Sequence, residues 1–99
     1  MNRCYIAEIE WIPFEKGGRR KAPAEGVRYC PIIDLGTSEN WSIDFICPDF
    51  SNTNMIEFSF LSESAPDNLL DISKKYMLKE GARKVACLVV KGERKRNEE

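Results

Sequence analysis

An all-β domain, a small antiparallel barrel or sandwich, is the fold class this sequence predicts, on three observations. Short segments alternate apolar and polar residues with a period of two. They recur at roughly even spacing, and clusters of Gly, Pro, Asn and Ser separate them as turns. The chain has 99 residues, 42% hydrophobic and 31% charged, which suits a single globular core and leaves little room for a second.

Each element can be justified in order. Over residues 4–13, Tyr5, Ala7, Ile9 and Trp11 fall on one face and Glu8 and Glu10 on the other, as in a half-buried strand. Residues 15–26, EKGGRRKAPAEG, form a loop by Gly17-Gly18, Pro23 and Gly26. Residues 27–35 read as a second strand, which Pro31 demotes to an edge or a bulge. After a turn at 36–40, Trp41, Ile43, Phe45 and Cys47 oppose Ser42 and Asp44 on a third strand. Pro48-Asp49 and residues 51–54 break the chain. A fourth strand then sets Ile56, Phe58 and Phe60 against Glu57 and Ser59.

Residues 67–79 support two readings. One is a short helix capped by Asp67, with Leu69, Ile72 and Tyr76 near one face. The other is a loop followed by a strand over 74–80, with Tyr76 and Leu78 inward. Residues 83–91 form the last strand, led in by a turn at Glu80-Gly81. The barrel domain is therefore expected over 1–91, with 92–99 a polar, disordered tail.

Composition narrows function. There is no histidine, which removes the commonest general base and the commonest metal ligand and lowers the expectation of an enzyme. Cys4, Cys30, Cys47 and Cys87 include no C-x-x-C pair, so they are expected to be unpaired, buried thiols and not a metal or redox site. Residues 1–14 lack the long apolar core of a signal peptide or membrane span, so a cytoplasmic protein is expected. The formal net charge of −1 conceals segregation. Residues 1–28 carry six basic and four acidic groups, residues 29–73 eight acidic and no basic ones, and residues 74–99 nine basic and four acidic.

Two stretches, EKGGRRKAPAEG and KEGARKVACLVV, together resemble the C-terminal β-barrel, domain 3, of translation elongation factor Tu. Glu15, Gly17, Gly18, Arg19, Pro23 and Gly26 match that family's first loop. Lys79, Glu80, Gly81, Arg83, Val85, Val89 and Val90 match its last hairpin. The resemblance spans about residues 4–91 and implies a six-stranded closed antiparallel barrel. The sequence departs from the family at Ala82, where the family has a second Gly, and at Ala24 and Glu25, where it has loop aromatics. No G-x-x-x-x-G-K-[ST] loop occurs, so nucleotide binding is not implied.

The expectation is thus a stand-alone, non-enzymatic binding protein without cofactor or metal, most simply an adaptor that engages a protein partner. The alternative is an RNA- or tRNA-binding module, because the family's barrel helps hold the T-arm of aminoacyl-tRNA. An immunity or regulatory protein is a further reading. The candidate binding residues are Lys16, Arg19, Arg20, Lys21 and Arg28, joined by Arg83 and Lys84 of the second motif.

Overall fold

The structure, a computed structural model, describes residues 3–94, the side chain of Asp67 excepted. Seven strands form one sheet: β1 (Cys4–Trp11), β2 (Arg28–Tyr29), β3 (Ile32–Asp34), β4 (Trp41–Ile46), β5 (Met55–Phe60), β6 (Lys75–Glu80) and β7 (Arg83–Arg94). Six of them close into an antiparallel barrel in the cyclic order β4-β3-β6-β7-β1-β5, and β4–β5 pairing completes the ring. The seventh, β2, pairs with β4 alone (Arg28↔Ile46, Tyr29↔Phe45). It continues the line of β3 across a break at Cys30-Pro31, so the predicted second strand exists and Pro31 interrupts it.

Alternation decides the interior. Tyr5, Ala7, Ile9, Ile43, Phe45, Cys47, Ile56, Phe58 and Phe60 are buried, as are Tyr76 and Leu78 of β6 and Val85, Ala86, Leu88 and Val90 of β7. Val85 and Ala86 are consecutive and both inward. A bulge explains this, because Leu78 pairs with Ala86 while Lys79 pairs with Lys84, leaving Val85 as the extra residue. A second bulge lies opposite Ile6 and Ala7, at Lys91. Both sharpen the twist that lets a short sheet close on itself.

For residues 67–79 the loop-plus-strand reading holds. Only Asp67–Leu69 makes a turn of 3₁₀ helix, and β6 occupies 75–80. A helix would leave β3 and β7 without the partner that each finds in β6. β7 runs to Arg94, three residues into the polar 92–99 segment, because Gly92, Glu93 and Arg94 pair with Ile6, Tyr5 and Cys4. The rest of that segment lies outside the described residues.

The expectation of buried thiols holds fully for one cysteine. Cys47 is buried, Cys4 and Cys87 are half-buried, and Cys30 is exposed; none is in a disulfide. Cys87 pairs across from Glu10 on the outer face of the wall, and Cys30 sits at the Pro31 break with its thiol 3.6 Å from Asp44 Oδ1.

The barrel has two ends. The upper end carries the β1–β2 connection (residues 12–27), the β4–β5 connection (47–54) and the tight β6–β7 turn. The lower end carries the β3–β4 connection (35–40) and the β5–β6 connection (61–74).

Candidate functional site

The candidate residues meet at the upper end. After β1 the chain turns at Phe14–Lys16, where Lys16 N–H donates to Pro13 O (2.9 Å) and Gly18 N–H to the same oxygen (3.1 Å). Gly18 then lies against the chain that enters the turn. A Cβ there would stand 1.9 Å from Ile12 O, so only glycine fits. Ile12 N–H in turn donates to Val85 O (2.9 Å), which ties the loop to β7. The last hairpin closes through Gly81 and Ala82, with Gly81 at φ 60°, the positive value a two-residue hairpin turn requires at that position.

These constraints bring the two motifs together. Arg19 Nη1 and the Tyr29 hydroxyl both donate to Glu80 Oε2. Arg19 Nε also donates to Lys21 O (3.0 Å), and its guanidinium lies 5.4 Å from the Tyr29 ring centroid. Beyond the Cys30-Pro31 break, β2 has no strand on its β6 side, and this side-chain cluster closes the seam. Burial is the largest single influence on the Glu80 carboxyl and pushes its pKa up. The donations from Tyr29 and Arg19, with the charges of Arg19 and Arg83, outweigh it and hold Glu80 below the ordinary carboxylate value. Burial pushes the Tyr29 phenol in the opposite direction from ionisation, well above its ordinary value, and the Glu80 carboxylate adds to that. Beneath the cluster, Trp11 packs on Tyr29 (5.8 Å between centroids) and edge-on to Phe50 (5.3 Å), and Tyr29 packs edge-on to Phe45 (5.6 Å).

Arg19 is therefore a structural residue with its charge answered inside the fold. Arg28 is similar: its Nε and Nη2 both donate to the Asp44 carboxylate at 2.9 Å. That guanidinium, hydrogen-bonded to the acid and charged beside it, lowers the Asp44 pKa. Arg20 lies over the exposed Phe14 ring, 4.5 Å from its centroid. Arg83 stands opposite Glu80 in the hairpin, with Lys84 next to it. Lys16, Lys21, Arg83 and Lys84 are exposed. Among the described residues, no ion pair of Lys16, Arg20, Lys21 or Lys84 occurs. Of seven sequence candidates, two are thus neutralised by internal partners. Sequence reasoning missed Tyr29, Phe14 and Phe50 as members of this end. Glu80 stood within the second motif but gave no sign that it would meet Arg19, 61 positions away.

Among the described residues, two recesses can be singled out. One, of about 270 Å³, is lined by Asp34, Leu35, Lys74, Lys75 and Tyr76. The other, of about 370 Å³, holds Glu8 and Glu10 beside Asn54, Lys75 and Cys87. Both of these carboxylates are exposed, and Glu8 lies 3.6 Å from Lys91 Nζ. Among the described residues, no three His, Cys, Asp or Glu side chains gather as a metal-binding set. No helix among them is long and apolar enough to cross a membrane.

No protein-family model matches this chain, and no curated protein is similar to it.

Proposed function

We propose that this chain is a non-enzymatic protein-interaction module, an adaptor built on a barrel related to domain 3 of elongation factor Tu. One observation carries the reading. Among the described residues, six of the seven exposed large apolar side chains lie at the barrel ends. Phe14, Val27 and Ile46 are at the upper end, Leu61, Leu69 and Ile72 at the lower, and Met55 faces Glu8 across the wall. Exposed apolar groups gathered at particular regions favour docking of a protein, whereas scattered ones need no explanation. The relation to the factor rests on the two sequence motifs, whose loops occupy the same end and share the Arg19–Glu80 ion pair.

Photoreactive residues test the reading. One placed at position 72, at the lower end, should cross-link to protein in cells, and one at position 8, mid-wall, should not. Equal yields from both positions would refute docking at the ends.

RNA binding at the upper end is the second reading. The observation in its favour is the Arg20 guanidinium stacked on exposed Phe14, with Lys16 and Lys21 in the same loop. Such binding should weaken log-linearly with salt and fall when Lys16, Arg20 and Lys21 are neutralised. Retention of RNA binding by that triple variant would eliminate it.

A further inference from the structure

Resting on the reading that the ends are docking surfaces, we infer that the lower end of one barrel docks on the upper end of a second copy of this chain, head to tail. The two ends are complementary in charge. The lower-end connections, residues 35–40 and 61–74, carry Glu39, Glu63, Asp67 and Asp71 against Lys74. The β1–β2 connection at the upper end carries Lys16, Arg19, Arg20 and Lys21 against Glu15 and Glu25, the β4–β5 connection adds Asp49, and Arg83 and Lys84 follow the hairpin turn after Glu80. Like ends repel and unlike ends attract, which selects head-to-tail contact over a symmetric pair.

Both ends also present apolar groups in fixed positions. At the lower end, the Tyr76 hydroxyl accepts from Asp71 N–H (2.7 Å) and donates to Leu69 O (2.9 Å). Ser73 N–H donates to Val90 O (2.7 Å), and Ser73 adopts φ 72°, a left-handed conformation uncommon outside glycine. Leu70 packs against the core, and Ile72, next to Asp71, is 58% exposed. At the upper end, Phe14, beneath the Arg20 guanidinium, is 48% exposed, and Ile46, paired across from Arg28, is 60% exposed. Little loop ordering remains to be done on contact, so less of the interaction energy is lost to it. A barrel end is a small face, which places the contact among weak, concentration-dependent ones. A head-to-tail contact uses a different surface on each partner, so it leaves one end open and continues to add copies.

Sedimentation of the full chain over a concentration series tests this. At about 50 mM salt the mean mass should rise past the dimer, and at about 500 mM the rise should be suppressed, because the contact is partly ionic. Two variants each remove one end: Leu69→Ser with Ile72→Ser, and Lys16→Glu with Arg20→Glu and Lys21→Glu. Arg19 is left in place, since it holds the fold, and an unchanged melting temperature would confirm that each variant is folded. Each variant alone should be monomeric, and their mixture should form heterodimers and nothing larger. A wild-type chain that stays monomeric, one that stops at a dimer, or variants that fail to pair would each overturn the inference. The photoreactive residue at position 72 separates its failure from that of the underlying reading. A cross-link to residues 14–28 of a second copy supports the inference. A cross-link to a different protein overturns it and leaves docking at the ends intact, and no cross-link overturns both.

Discussion

The two ends of the barrel are closed in different ways. At the upper end the strands leave a gap, because Pro31 parts β2 from β3, and side chains fill it: the aromatics Trp11, Tyr29 and Phe50, roofed by the Arg19–Glu80–Tyr29 cluster. At the lower end, among the described residues, no ion pair bridges the opening. A loop folds over it, held by one phenol on two backbone groups and by Leu70 and Ala65 against the core. The upper closure depends on charge and on a Gly-Gly turn, and the lower one on backbone hydrogen bonds and a little apolar contact. A rim built from side chains that neutralise one another keeps its shape while neighbouring cations stay exposed. That is how a loop so rich in Lys and Arg is structural at Arg19 and available at Lys16 and Lys21.

The largest test truncates one apolar plug at each end. Trp11→Ala should destabilise the chain by about 3 kcal/mol, and Leu70→Ala by less, about 2 kcal/mol. Urea denaturation that returned the opposite order would mean that the lower end is the better packed. Next, Gly18→Ala should cost about 2 kcal/mol, since its methyl group must displace the Ile12 carbonyl, whereas Gly36→Ala, with open space around it, pays only the strain of its positive φ. Comparable losses at the two positions would show that the upper loop shifts without penalty.

Acid then distinguishes the closures. The folded Glu80 carboxyl titrates below its unfolded value, so its contribution is complete above about pH 4.3 and is lost as the pH falls through the lower, folded value. Glu80→Gln should destabilise by about 1 kcal/mol at pH 7 and flatten the stability profile below about pH 4.5. A variant with the wild-type acid profile would show that Glu80 is not the group responsible. The smallest effect belongs to the lower end. Tyr76→Phe leaves Asp71 N–H and Leu69 C=O unpaired, at about 1 kcal/mol. Its loss should not vary between pH 3 and 7, the range of carboxylate titration, because the Tyr76 hydroxyl bonds two backbone groups. A pH-dependent loss would bring a carboxylate into the lower closure.

Much of this was legible in the linear chain, and particular residues show why. Ile56, Phe58 and Phe60 alternate with Glu57 and Ser59 because a strand with one wet face has no other way to satisfy both sides. Pro31 announced the break between β2 and β3 because it has no N–H to contribute to a ladder. Residues 67–79 were ambiguous because Leu69, Ile72, Tyr76 and Leu78 suit either period. Only the unfilled ladder edges of β3 and β7 choose the strand. The cysteines misled in part, since a thiol on an alternating strand can face either way, and Cys87 faces out while Cys47 faces in.

The basic loop shows the limit most clearly. Composition identified Lys16, Arg19, Arg20, Lys21, Arg28, Arg83 and Lys84 as one class of residue, and it could do no more, because charge is a property of each side chain alone. Which cation is answered by an acid is a property of distance. Arg19 finds Glu80 from 61 positions away, and Arg28 finds Asp44 across a strand pair. The segregation of charge along the chain was determined by the residue order. The placement of the basic β1–β2 loop and β6–β7 hairpin at one end, opposite Glu39, Glu63 and Asp71 at the other, came from the fold, because antiparallel strands send alternate connections to alternate ends.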